Sequence, residues 1–203
     1  MTPSYILHAL MTAVRVARFG NNAVDDFDQS VDGFFRSFFG IVLAAPLYFV
    51  AVMAQHRFAE ELSSELAEGG AGSLPQAAAG FYLIEWGAYV VNWIALPVVM
   101  ILITRLIGLA PRYVPFIVAY NWGSCFVLAL SAIPYFFYLL GVIPLIGVAL
   151  LYYPVVIFAL MYHWRIARDG LQIPGLTAAG IVLLDLLLSI LIALMVARLG
   201  MAL

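Results

Sequence analysis

The chain has 203 residues, 66% of them hydrophobic and 10% charged, with a net charge of -2 and a mean hydropathy of +1.07. A soluble domain is nearer half apolar and a quarter charged, so too little polar surface is present to cover a fold in water. The nine cationic residues are all Arg and form no basic patch for nucleic acid, and a single cysteine, Cys125, excludes a disulfide framework and a thiolate metal site.

A membrane span takes about 20 consecutive apolar residues, and this length holds five with short connections. The fold class expected is therefore all-α: a polytopic transmembrane helical bundle of about five spans. An N-terminal amphipathic helix is expected to precede them. Residues 1–32 read as a cytoplasmic amphipathic and acidic segment, and 33–203 as the transmembrane bundle.

Along residues 1–20, Ser4, His8, Thr12, Arg15 and Arg18 recur every three or four positions, with Tyr5, Ile6, Leu10, Val14 and Phe19 between them. Such a helix either lies in the headgroup layer with its cationic edge on lipid phosphates or packs against the bundle. The arginines follow the apolar run rather than precede it, which is the wrong order for a secretory leader. Asp25, Asp26, Asp28 and Asp32 come next, interleaved at helical spacing with Val24, Phe27, Val31, Phe34 and Phe38. A Ca²⁺ loop needs alternating oxygen ligands, a central Gly and a closing Glu. That order is missing, so the carboxylates read as a solvated helix face and no metal site is expected.

The spans are expected at about 34–55, 78–106, 114–138, 144–163 and 175–197. Between the first two, residues 56–76 carry Glu60, Glu61, Glu65 and Glu68 and then Gly69, Gly70, Gly72 and Pro75, a short helix followed by a connector. The uncharged link 139–143 reads as a hairpin turned by Gly141 and Pro144. Trp164, Arg165, Arg168, Asp169 and Gly170 read as the loop before the last span. With the N-terminus in the cytoplasm, Arg15, Arg18, Arg36, Arg105, Arg112, Arg165 and Arg168 fall inside, and only Arg57 and Arg198 outside. Seven against two satisfies the positive-inside rule with the N-terminus in the cytoplasm.

Candidate functional residues are those that are costly in lipid. Asp185, near the middle of the fifth span, would cost at least about 2.5 kcal/mol if left facing hydrocarbon. Ser189, Ala193 and Ala197 continue its helix face as a small and polar stripe, the kind of surface on which another helix packs. Glu85 lies about two turns into the second span, and Asn92, Asn121, Ser124 and Ser131 add polar groups. These acids either make interhelical hydrogen bonds or border an ion path. Pro46, Pro97, Pro134 and Pro154 fall inside spans, where they break the backbone ladder. His8, His56 and His163 fall near span ends without metal or haem spacing. No Ser-His-Asp pattern, phosphate-binding Gly loop or catalytic carboxylate pair is visible, so no catalytic residue and no cofactor is assigned.

From Arg112 onward the pattern resembles the Yip family, the Ypt/Rab-interacting membrane proteins, in its short bacterial form. The stretches that carry the likeness are VPFIVAYNW at 114–122 and GVIPLIG at 141–147, followed by a loop and a last span ending near Ala197. An amphipathic N-terminus ahead of five clustered spans is also similar. The Asp, Tyr, Gly and Pro motif of eukaryotic members, which precedes their first span, is absent. The resemblance implies an adaptor or scaffold in membranes and transfers no catalytic residue. The expectation is thus a non-enzymatic membrane scaffold or accessory subunit. Its partners would be the lipid bilayer and other membrane proteins, or copies of itself. The alternative is a small transporter or channel component using Asp185 and Glu85.

Overall fold

The computed structural model describes residues 1–18, 20, 23–68 and 79–200, and among these no strand is present. Seven α-helices follow in order: α1 (Pro3–Ala17), α2 (Val31–Ser37), α3 (Phe39–Glu68), α4 (Ala79–Leu106), α5 (Tyr113–Leu139), α6 (Leu145–Leu171) and α7 (Gly175–Gly200). Short 3-10 turns occupy Ala23–Asp26 and Ala110–Arg112. Among the described residues five helices are long and apolar enough to cross a membrane, which makes this an all-α, multi-pass membrane protein.

Helix α5 is the centre. It packs most extensively against α6 and α3, while α7 packs on α4 and α6, and α4 leans back onto α3. Close approach explains the first of these pairings. A Cβ added to Gly123 would lie 2.5 Å from Ile166 Cδ1 and 2.9 Å from Tyr162 Cε1, so only glycine lets α6 come this near. Phe116, Ile117, Trp122 and Ile166 fill the core around this contact.

The connections follow their turn residues. Gly141 takes φ +71° after α5, and Pro144 sits at the N-cap of α6, so the expected hairpin is present. Arg57 of α3 closes it: Nη1 donates to the Leu139 carbonyl at 2.9 Å and to the Tyr138 carbonyl at 3.2 Å, which also accepts from the Gly141 N–H. At the opposite end Gly108 (φ +73°) ends α4, and Gln172 (φ 55°) ends α6, where Arg112 donates to its side-chain carbonyl.

Three expectations are corrected. First, α3 runs on to Glu68, so residues 56–68 continue the first span's helix rather than forming a separate short one. Pairs one turn apart, His56–Glu60 and Arg57–Glu61, sustain it. The connector expected at 69–76 lies outside the described residues. Second, residues 164–170 are not a loop: α6 continues to Leu171 with Arg165 on Asp169 at 3.2 Å, and the turn falls at 172–174. Third, the acidic stretch is not one helix. Asp28 Oδ1 accepts from the N–H and hydroxyl of Ser30 at 3.2 and 2.6 Å, and Ser30 caps α2 by accepting from the Gly33 N–H. That turn separates the 3-10 segment from α2.

Helix α1 lies across the α5–α6 pair. Tyr5 meets Trp122 of α5 edge-on, while Tyr162 of α6 donates to the Ala13 carbonyl at 3.0 Å. Ala9, Thr12, Ala13 and Val16 are buried, so Thr12 belongs to the packed face and not to the expected polar stripe. The outward face mixes Leu7 and Met11 with His8, Arg15 and Arg18.

Candidate functional site

Helical periodicity puts Asp185 and Ser189 one turn apart on the same face of α7, and the two meet different neighbours. Tyr120 of α5 donates its hydroxyl to Asp185, 2.9 Å from Oδ1 and 3.1 Å from Oδ2. The Tyr120 ring lies beside the imidazole of His163 on α6, with centroids 5.3 Å apart. His163 Nδ1 is 3.0 Å from the Ala159 carbonyl, one turn back. A carbonyl can only accept, so Nδ1 carries a hydrogen. In the neutral ring Nε2 is then the acceptor, and the Ser124 hydroxyl stands 3.3 Å from it. Tyr120 and Ser124 lie one turn apart on α5. Asp185, Tyr120, Ser124 and His163 therefore form one polar cluster joining three helices.

Ser189 turns the other way and donates to Asn92 Oδ1 of α4 at 3.0 Å. Asn92 lies at the middle of its helix, Ala79–Leu106, yet it is exposed. The small stripe continues through Ala193 and Ala197, both also exposed. A polar pair at mid-span depth thus reaches the outer surface of the chain.

Glu85 is held elsewhere. Tyr48 of α3 donates to its Oε2 at 2.8 Å, and Tyr48 stacks on Tyr89 with centroids 4.5 Å apart. Chain order makes α4 and α7 antiparallel. Glu85 lies seven residues to one side of the Asn92–Ser189 contact and Asp185 four residues to the other, an axial separation of about 16 Å. The two acids do not share a site. Asn121, fully buried, donates through Nδ2 to Ser37 Oγ at 2.8 Å, and Ser37 passes its own hydrogen to the Phe34 carbonyl at 2.7 Å. Asn121 thus pins the α2–α3 junction to α5. Of the five expected residues, Asp185, Ser189 and Asn92 gather along α7, while Glu85 and Asn121 serve other contacts.

His163 is a further correction. It lies two turns inside α6 rather than at a span end, because the charged residues after it continue the helix. The i, i+4 spacing of Arg165 and Asp169 was the signal in the sequence for that extension, and Tyr120 with Ser124 at i, i+4 marked the facing side of α5. Ser124, His163 and Asp185 have the composition of a nucleophilic triad but another geometry. The Asp185 carboxylate holds Tyr120 rather than His163 Nδ1, and Ser124 sits mid-helix, where backbone N–H groups are committed to the helix ladder.

The N-terminal carboxylates are solvated or paired. Arg15 bonds Asp26 at 2.7 Å, and Arg36 approaches Asp32 at 3.8 Å. The Ser30 hydrogen bonds hold the Asp28 carboxyl below its usual range, and burial raises the Tyr5 phenol. Among the described residues no group of His, Cys, Asp and Glu could hold a metal ion. No protein-family model, curated protein or solved structure matches the chain.

Proposed function

We propose that this chain is a non-enzymatic scaffold or accessory subunit of a bacterial cytoplasmic membrane, working by helix packing along the α4–α7 seam. The N-terminus faces the cytoplasm, so the end bearing Arg105, Arg112, Arg165 and Arg168 is inside, in keeping with the positive-inside rule. The Yip-like pattern after Arg112 agrees with an adaptor role.

One observation carries this reading: Asn92, bonded to Ser189, lies on the surface at mid-span. Lipid offers such a side chain no hydrogen bond, and polar groups facing hydrocarbon are costly. A helix of another membrane protein, or of a second copy, covers it and uses the exposed Ala193 and Ala197 for close approach. The transporter alternative rests on Asp185 alone, because Glu85 lies too far along the bundle to share its path.

The test is a photo-crosslinking amino acid in place of Asn92 in native membranes, with the same residue in place of Leu150 on the outer face of α6 as control. A discrete protein adduct from position 92 and lipid adducts from position 150 are expected, the adduct's mass separating a second copy from another protein. Lipid adducts alone from both positions would overturn the reading.

A further inference from the structure

Trp122 carries a polar group that the fold leaves unused. Its indole is fully buried, yet Nε1–H has no hydrogen-bond partner among the described residues. A buried Trp N–H usually finds one, because an unpaired buried donor is costly. The same indole lines a cavity of about 280 Å³ between α1 and α5. Tyr5 of α1 forms another wall, and Asp26, Phe27 and Asp28 close it from the turn that follows α1.

We propose that this cavity binds a primary ammonium group carried beside a phosphoryl oxygen, the chemistry of an ethanolamine phosphate headgroup. Asp26 and Asp28 supply the negative charge. One oxygen of each is committed, Asp26 Oδ2 to Arg15 at 2.7 Å and Asp28 Oδ1 to Ser30. A carboxylate has about four acceptor positions, so both can accept further bonds. The Ser30 bonds also keep Asp28 ionised. Tyr5, Phe27 and Trp122 add aromatic rings, which favour a cation over their faces, and Arg36 already stands over Tyr5, 5.3 Å from the centroid. The carboxylates select the kind of cation. A primary ammonium has three N–H donors for them, whereas a quaternary one has none. The Trp122 N–H needs an acceptor on the same ligand, and a phosphoryl oxygen is one.

Size and position agree with a headgroup. Pockets for whole drug-sized molecules begin at about 300 Å³, so this cavity takes the polar end of a lipid and not its chains. A charged pair such as Arg15–Asp26 is costly in hydrocarbon, so this side of α1 meets the headgroup layer. A soluble ethanolamine phosphate offers the same chemistry, and the experiment separates the two sources. Tyr120, which holds Asp185, precedes Trp122 by two positions, about 200° around α5. The cavity is therefore on the side of α5 away from Asp185, and the inference does not rest on the partner reading above.

The experiment places the whole chain in nanodiscs of mixed phosphatidylethanolamine and phosphatidylcholine and measures retained lipid by native mass spectrometry. Wild type is expected to prefer phosphatidylethanolamine by about tenfold, the contribution of one hydrogen bond to a charged group. Asp28→Asn is expected to bring the two lipids to parity. Trp122→Phe removes the N–H, keeps a ring, and is expected to lower phosphatidylethanolamine retention severalfold. Circular dichroism shows that each variant is folded, and Asp26→Asn takes the place of Asp28→Asn if that variant is not. Glycerophosphoethanolamine added to discs of pure phosphatidylcholine separates the sources. Binding of it without any lipid preference assigns the cavity to a soluble ligand, and a lipid preference assigns it to the headgroup. A loss in any folded variant upholds the site. Wild type that shows neither, or binding that is the same in every folded variant, would overturn it.

Discussion

Helices α5 and α7 have nearly the same length and opposite fates. Over its most apolar window α5 has a mean hydropathy of 1.7 and is 56% buried, whereas α7 reaches 2.7 and is 6% buried. In water the more apolar helix would be the inner one. In lipid the tails are as apolar as leucine, so no hydrophobic force draws α7 inward. Close packing and hydrogen bonding decide instead. Helix α5 supplies Gly123 for contact with α6, Asn121 for α2 and α3, and Tyr120 with Ser124 for α6 and α7. Helix α7 hydrogen-bonds through Asp185 and Ser189 and buries Ala178 and Ile181 near its start, with Leu183, Leu187, Leu191 and Leu194 turned outward.

The largest effect expected from this contrast comes from paired glycine substitutions. Gly123→Leu would drive a side chain into Ile166 and Tyr162 and should destabilise the bundle by about 3 kcal/mol. A Cβ added at the exposed Gly180 of α7 meets nothing within 4 Å, so Gly180→Leu should be neutral or stabilising by up to about 1 kcal/mol through helix propensity. Thermal denaturation in detergent compares them, and similar losses would mean that α7 is packed as α5 is.

A smaller effect is expected at the N-terminal segment. Ser30→Ala removes the α2 cap and should cost about 1 kcal/mol, seen as faster amide exchange through α2 with α5 unchanged. On α7, Ser189→Ala breaks the bond to Asn92 and should cost the isolated chain only about 0.6 kcal/mol. The smallest effect is that of pH on Asp28. Its lowered carboxyl stabilises the Asp28–Ser30 turn fully above the ordinary value of 3.8 and loses that contribution as pH falls through the still lower folded value. Asp28→Asn should flatten amide exchange of α2 against acid, and unchanged acid sensitivity would show that Asp28 does not govern the turn.

Much of this architecture was legible in the residues. Five apolar runs marked the spans, and Gly141 with Pro144 marked the hairpin, because hydropathy and turn chemistry are local properties. Helix ends were harder. Hydropathy stops where lipid stops, but a helix continues as long as its polar side chains pair, as Arg57 with Glu61 and Arg165 with Asp169 do. The site was half legible. Asp185, Ser189 and Asn92 stood out as polar residues in apolar runs, but their pairings depend on which helices adjoin, which no periodicity encodes. His163 was misplaced for the same reason as the α6 end. Thr12 faced inward because its neighbours Ala9 and Ala13 are small enough for α1 to sit directly on Tyr162.

The most direct measurement is the mass of the intact species extracted from native membranes in a mild detergent, for wild type and for Asn92→Leu. A stoichiometric complex larger than the 22.2 kDa chain is expected for wild type, and release of a folded single chain by Asn92→Leu. A strictly monomeric wild type, or a complex indifferent to Asn92→Leu, would contradict a partner helix on the α4–α7 seam.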